Sequence, residues 1–322
     1  MLTKKLFWFI ITSYFIIKGE NVLEIAINFL KALSKIRTPF GDTLVQLITR
    51  LGEEVIVLGV ICLLYWCINK DAAYKLGMIF FASGMLVQGL KVSFRIERPW
   101  VIDPTFSPVA SARGGATGYS FPSGHTQGAT ALYGYFALNS RKKVYKAIFI
   151  ILILLVGFSR MYLGVHTFYD VLASLALTTI VLLLINELYV KFANGERDFV
   201  VAAVLGGVSV LLCIYSYVLA KLGAVDFMQI KDCFKSGGAG LGFAIGFYLE
   251  RKYIKFDTHA PKIWLQVVKF VIGVAVALLF KSALKLISPG NLIVDFVRYF
   301  VTVMWVVVIY PVVIKKLIKM HR

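Results

Sequence analysis

Long apolar stretches recur along almost the whole of this sequence, at residues 55–68, 73–90, 124–138, 144–163, 168–190, 199–222, 237–249, 263–286 and 292–314. About 20 mostly apolar residues cross the hydrocarbon core of a bilayer as a helix, the form that satisfies its own backbone hydrogen bonds there. With 59% hydrophobic and 16% charged residues, a chain of 322 residues is too apolar for a soluble domain. It reads as an all-α polytopic membrane protein. Some stretches are short, and adjoining polar residues must complete them by lining the protein interior. The run at residues 6–17 follows lysines but lacks a small-residue cleavage site, and Lys18 to Glu20 close it early. Together with residues 22–33 it reads as helices in the interface, with an uncleaved signal anchor as the alternative.

A formal net charge of +18 on a soluble protein would suggest nucleic acid. Here the positive residues cluster between spans, so topology and anionic headgroups account for them and no nucleic-acid partner is expected. Alternate connections hold Lys70 and Lys75, then Arg141, Lys142, Lys143 and Lys146, then Lys191 and Arg197, then Arg251, Lys252, Lys255 and Lys262, and finally Lys315, Lys316, Lys319 and Arg322. That set belongs in the cytoplasm. The opposite set, residues 93–123, the turn near Gly164, residues 221–235 and residues 288–291, belongs outside. Cys62, Cys67, Cys213 and Cys233 show no metal-type spacing and read as packing residues.

Three polar clusters fall on the external side. In "KVSFRIERPW", Lys91 and Arg98 are either snorkelling residues at a span end or functional cations, with Pro99 stopping the helix. In "PSGH", Pro122, Ser123 and Gly124 make a capped helix start, and the same free backbone N–H groups suit a phosphate beside His125. In "SRMYLGVHTFYD", His166 and Asp170 share one face of a helix, where a carboxylate can hold one imidazole nitrogen. Arg160 lies just across the Gly164 turn. Ionisable groups at such depth favour function over a structural ion pair.

Taken together, these residues resemble the type 2 phosphatidic acid phosphatase family, membrane lipid phosphatases whose site is similar to that of vanadate-dependent haloperoxidases. The family pattern is Lys, six residues, Arg-Pro; then Pro-Ser-Gly-His; then Ser-Arg, five residues, His, three residues, Asp. Lys91, Arg98–Pro99, Pro122–His125, Ser159–Arg160, His166 and Asp170 match it in order. The resemblance spans residues 51–190 and implies a six-helix core, followed here by about three further transmembrane helices. The expected organisation is interfacial helices over 1–50, a phosphatase core over 51–222 and a transmembrane extension over 223–322.

The resemblance implies that His166 is the nucleophile, oriented by Asp170, and forms a phosphohistidine. His125 would protonate the departing oxygen and then activate water, which gives a bell-shaped pH profile. Lys91, Arg98 and Arg160, with backbone N–H groups of Ser123 and Gly124, would hold the phosphate. Neither a metal nor a cofactor is expected. The implied substrate is a lipid phosphate such as undecaprenyl pyrophosphate, phosphatidate or phosphatidylglycerol phosphate, met at the external face of a bacterial-type plasma membrane. Phosphotransfer to a lipid acceptor is one alternative. A transporter or flippase is another, on the strength of Lys281, Lys285, Asp295 and Arg298, although snorkelling and an Asp295–Arg298 pair account for these more simply. Gly238, Gly242 and Gly246 give one smooth helical face, used within the chain by default or for a homodimer.

Overall fold

The computed structural model describes residues 20–193, 195–258, 262–287 and 290–320. Residues 6–17 and the side chain of Lys285 lie outside what is described. Helix α1 (Glu20–Ser34) buries Ala26, Ile27 and Leu30 and leaves Ile25 and Phe29 exposed, so its two faces differ as expected of residues 22–33. Helix α2 (Pro39–Arg50) starts on a Thr38 cap whose Oγ1 accepts from the Gly41 N–H at 3.1 Å, with Pro39 preset in the first turn.

Helix α3 (Glu54–Leu63) continues into a π turn at Leu64–Ile68. It is bent by 41° from α2, and the pair together has the length and composition of one broken span. The stretch at 55–68 therefore gains its missing length from α2, and the boundary expected at residue 50 falls inside this pair. The break lies against helix α7 (Gly124–Asn139). A Cβ on Gly52 would stand 2.6 Å from the His125 carbonyl oxygen, and one on Gly128 would stand 2.7 Å from the Gly52 carbonyl oxygen, so neither position admits a side chain.

The remaining expected helices are present. They are α4 (Lys70–Phe94), α8 (Lys143–Tyr162), α9 (Phe168–Phe192), α10 (Asp198–Lys221), α11 (Lys231–Leu249), α12 (Ile263–Ile287) and α13 (Leu292–Met304), which passes through a π turn (Trp305–Ile309) into α14 (Tyr310–Met320). Two short helices, α5 (Pro99–Ile102) and α6 (Ala110–Arg113), interrupt the loop between α4 and α7. Among the described residues six helices can cross a membrane by length and composition, or seven with the bent pair. Helices α7 and α11, expected as spans, are not among the six. Both are interior helices whose small and polar residues face protein, Thr126 to Tyr133 in α7 and Gly237 to Gly240 in α11, so they need not be apolar.

The C-terminal helices are joined to the core at both ends. Tyr65 and Trp66, in the first π turn, donate to the carbonyls of Val307 (2.8 Å) and Val306 (3.0 Å) in the π turn after α13. At the end where α4 begins, buried Glu250 accepts from Lys70 (2.8 Å), the Phe256 N–H (3.0 Å) and the Tyr74 hydroxyl. Arg251 donates to Asp198 (2.7 Å), Asp71 (3.2 Å) and the Ala193 carbonyl (3.0 Å). Glu250 and Arg251, to which the sequence assigns no task, thus fasten α11 to α4, α9 and α10.

The glycine face of α11 is occupied by α13 of the same chain. A Cβ on Gly242 would stand 2.9 Å from the Phe300 carbonyl oxygen and one on Gly246 2.8 Å from Val307, while Gly238 abuts Phe296 more closely still. The intramolecular use of this face, expected by default, is the one seen, and a second copy would have to displace α13 to reach it. Gly242→Leu is expected to cost about 2 kcal/mol through overpacking. Gly207→Ala, on α10 with nothing near its Cβ, should gain up to about 1 kcal/mol from helix propensity. Thermal unfolding of the purified protein in detergent checks both.

Candidate active site

Helix α4 ends one turn beyond Lys91. Arg95 takes a left-handed conformation (φ 53°), donates its N–H to the Lys91 carbonyl at 2.9 Å, and turns the chain so that the Ile96 carbonyl accepts from the Ser120 N–H at 2.8 Å. The following loop is held by buried cations. Lys91 Nζ donates to the Tyr119 carbonyl at 2.5 Å. Arg98 donates to the carbonyls of Gly118 (3.0 Å), Thr117 (2.6 Å) and Val165 (2.9 Å), and its Nη1 lies 3.1 Å from His166 Nε2.

Arg160, in the last turn of α8, donates to Thr49 Oγ1 of α2 at 2.7 Å, and its buried Nε has no partner. Lys91, Arg98 and Arg160 are 7%, 6% and 3% exposed, yet among the described residues none pairs with a carboxylate. Burying a cation costs several kcal/mol unless its donors are satisfied. Neutral acceptors meet these donors, the Arg160 Nε excepted, and leave the charge uncancelled.

His166 sits in the turn between α8 and α9. Gly164 closes that turn at φ 75°, where a Cβ would stand 2.6 Å from Arg37 Nη2 and 2.7 Å from the Phe106 ring. Arg37 secures it further by donating to the carbonyls of Tyr162 (2.8 Å) and Ser107 (2.9 Å). His166 Nδ1 lies 3.4 Å from both Asp170 Oδ2 and Ser120 Oγ, and Ser120 donates to Asp170 Oδ2 at 2.6 Å. The Thr167 N–H donates to the same carboxylate oxygen at 2.7 Å, completing a capping box that starts α9.

Because a guanidinium only donates, Nε2 accepts from Arg98 and the ring proton is assigned to Nδ1, facing Asp170 and Ser120. Burial first, and then the Arg98, Arg160 and Lys91 charges and His125, lower the His166 pKa well below its ordinary value, so the imidazole is neutral at pH 7. A bound anion that draws Arg98 toward itself would free the Nε2 lone pair.

These groups surround one cavity of about 360 Å³ whose lining includes Lys91, Arg98, Gly124, His125, Arg160 and His166. The first N–H groups of α7, including that of Gly124, have no intrahelical acceptor and remain available to an anion. Ser123 does not fit the role expected of it. Its N–H donates to the Asp170 carbonyl at 3.1 Å, its Oγ caps the Thr126 N–H at 3.4 Å, and it is fully buried away from the cavity lining. Ser120, Thr49 and Arg37, which no motif marks, are the partners that hold Asp170, Arg160 and the His166 turn. The C-terminal helices also reach the cavity, with Asp232, Lys235, Lys281 and Tyr299 among its lining.

Two family models match parts of the chain. A model of the PAP2 superfamily matches residues 72–193, and a second, described as the PAP2 superfamily phosphatase transmembrane extension, matches residues 234–322. Phosphatidylglycerophosphatase B of Bacillus subtilis (strain 168) is 28% identical over 170 residues, covering 48% of this chain and 79% of that protein. Undecaprenyl-diphosphatase BcrC of the same organism is 28% identical over 165 residues, covering 49% and 78%. The crystal structure of a transmembrane PAP2 type phosphatidylglycerolphosphate phosphatase from Bacillus subtilis superposes with a TM-score of 0.50 at 27% identity, covering 58% of this chain and 95% of that one.

A cavity with uncancelled cations should bind a free tetrahedral anion. Inorganic phosphate at a hundredfold excess over its dissociation constant is expected to stabilise the protein by about 2.7 kcal/mol. The stabilisation should vanish in Arg160→Gln, and thermal unfolding with and without phosphate measures it.

Proposed function

This chain belongs to the PAP2 superfamily and carries its phosphatase transmembrane extension, and on that premise we propose how it works as an integral-membrane hydrolase of lipid phosphates. His166 is the nucleophile of a metal-independent reaction that passes through a phosphohistidine. The observation that carries this reading is the pairing of His166 Nε2 with Arg98 at 3.1 Å, inside a cavity whose buried cations bind only neutral acceptors.

A phosphate monoester brings nearly two negative charges at neutral pH. Lys91, Arg98, Arg160 and the Gly124 N–H would take its oxygens and stabilise charge on the transferring phosphoryl group. As Arg98 turns to the phosphate, Nε2 attacks phosphorus. The P–N bond forms, the P–O bond to the lipid breaks, and His125, which takes up a proton once the bound dianion offsets the surrounding cations, gives it to the departing oxygen. The proton on Nδ1 stays with His166, held by the Asp170 and Ser120 pair, which supports the positive charge of the phosphorylated ring. His125, now neutral, takes a proton from water. The hydroxide attacks phosphorus, the P–N bond breaks, and orthophosphate leaves with His166 neutral again.

The names of the relatives, a phosphatidylglycerophosphatase and an undecaprenyl-diphosphatase, support a lipid mono- or diphosphate as substrate. A prenyl pyrophosphate, or a broad range of lipid phosphates, fits an active site at the ends of the spans. The charge distribution of the connections supports a site on the extracytoplasmic face of a bacterial-type plasma membrane. In this reading residues 51–222 supply His166, His125, Asp170 and the cationic groups, and residues 223–322 add a wall. Asp295 and Arg298, which could have marked a transport path, pair with each other at 2.7 Å.

His166→Ala is expected to abolish phosphate release, a loss of at least about four orders of magnitude of the kind seen when a nucleophile is removed. Ser123→Ala should retain turnover and lose only cap stability, about 1 kcal/mol. Release of free phosphate from a radiolabelled lipid phosphate in excess EDTA, with acid-labile label trapped on the wild-type protein, measures both; substantial turnover by His166→Ala, or a requirement for added magnesium, would refute the reading. Ser120→Ala should lower kcat about tenfold with KM nearly unchanged, since it orients the imidazole through Asp170 without touching substrate.

A further inference from the structure

A second, smaller compartment of about 90 Å³ adjoins the catalytic cavity. It lies between α3 on one side and α12 and α13 on the other. Its lining is apolar apart from the wall it shares with the cavity, and includes Gly59, Cys62, Val274, Ala277, Leu278 and Val306. The two compartments have Leu58, Phe81, Lys281, Thr302 and Val303 in common, so they meet along these side chains.

Lys281 marks the join. Its ammonium lies 3.0 Å from the Glu54 carboxylate and 5.4 Å from the centre of the Tyr299 ring, so the charged head is held toward the polar cavity and its methylene stem borders the slot. Gly59 faces open space, since a Cβ there would meet no atom within 4 Å. A cationic chamber that adjoins an apolar slot is the complement of an amphiphile, with an anionic head and a hydrocarbon chain.

We propose that the slot receives the part of the substrate's hydrocarbon tail that lies beyond its first few carbons, so that the C-terminal extension selects lipid phosphates by their tails. This rests on the lipid phosphatase reading above. The head is held by the cavity cations, the tail leaves past Lys281, and each methylene buried in the slot strengthens binding about fourfold. Residues of α12 and α13 form one whole wall, so the core helices alone would leave this side open.

The test fills the slot from each wall, with Gly59→Phe on α3 and Ala277→Phe on α12. Phosphate release is measured for dioleoyl and dibutanoyl phosphatidate, and for farnesyl and dimethylallyl diphosphate, in detergent micelles. Both variants are expected to raise KM for the long-tailed member of each pair about tenfold and to leave kcat/KM for the short-tailed member unchanged to within about twofold. Retained short-chain turnover also shows that the variants fold and keep a working centre. Equal losses on long and short substrates, or no change on the long ones, would overturn the tail slot. If the wild-type protein releases phosphate from none of these compounds, the lipid phosphatase reading falls first and the slot with it. An active wild type with unaffected variants sinks the slot alone.

Discussion

A buried cation must have acceptors for its N–H groups, and the organisation of this site follows from which acceptors the fold supplies. Arg98 gathers the carbonyls of Thr117, Gly118 and Val165, and Lys91 takes that of Tyr119. These bonds tie the loop before α7 to the turn between α8 and α9 and thereby bring His125 and His166 to one cavity. Carbonyl dipoles satisfy the donors without cancelling the charge. At the other end of α4 the opposite solution is found, where Lys70 and Arg251 meet Glu250, Asp198 and Asp71. There the charges cancel and the result is a fastening. One chain thus uses the same residue types for attraction of an anion and for adhesion between helices, and the partner decides which.

The interior position of α7 and α11 is a second consequence of packing. Gly52 and Gly128 let the break between α2 and α3 press against α7, and the glycine face of α11 lets α13 approach to backbone distance. Neither helix has to be apolar enough for lipid, which frees α7 to carry His125 in its first turn and α11 to carry Asp232 and Lys235 to the cavity. The extension is therefore continuous with the core in its contacts, although the family models treat the two stretches separately.

The helices and the charged site residues were legible because they depend on local spacing. Apolar runs mark helices wherever they lie in the chain, and Lys91, Arg98, His125, Arg160, His166 and Asp170 sit at fixed intervals within short motifs. What spacing could not show is which distant group each residue meets. Thr49 reaches Arg160 across 111 positions, Arg37 reaches Tyr162 across 125, and Ser120 reaches Asp170 across 50. The same holds for Ser123, whose N–H is taken by a carbonyl at the start of α9, 47 positions away, rather than left for an anion. The 14-residue stretch at 55–68 looked like a short span because nothing local reveals that α2 completes it at an angle of 41°.

The cavity draws its walls from Gly52 and Glu54 near one end of the chain and from Thr302 and Val303 near the other. A ribosome releases these residues in order, so the enclosure stays unfinished through most of translation and membrane insertion. Helices α12 and α13 must come to rest against α3 and α11 before the last wall exists. Assembly of the pocket is thereby a late event in the biogenesis of the molecule, and a nascent chain arrested before α13 would lack the wall that Thr302 and Val303 supply.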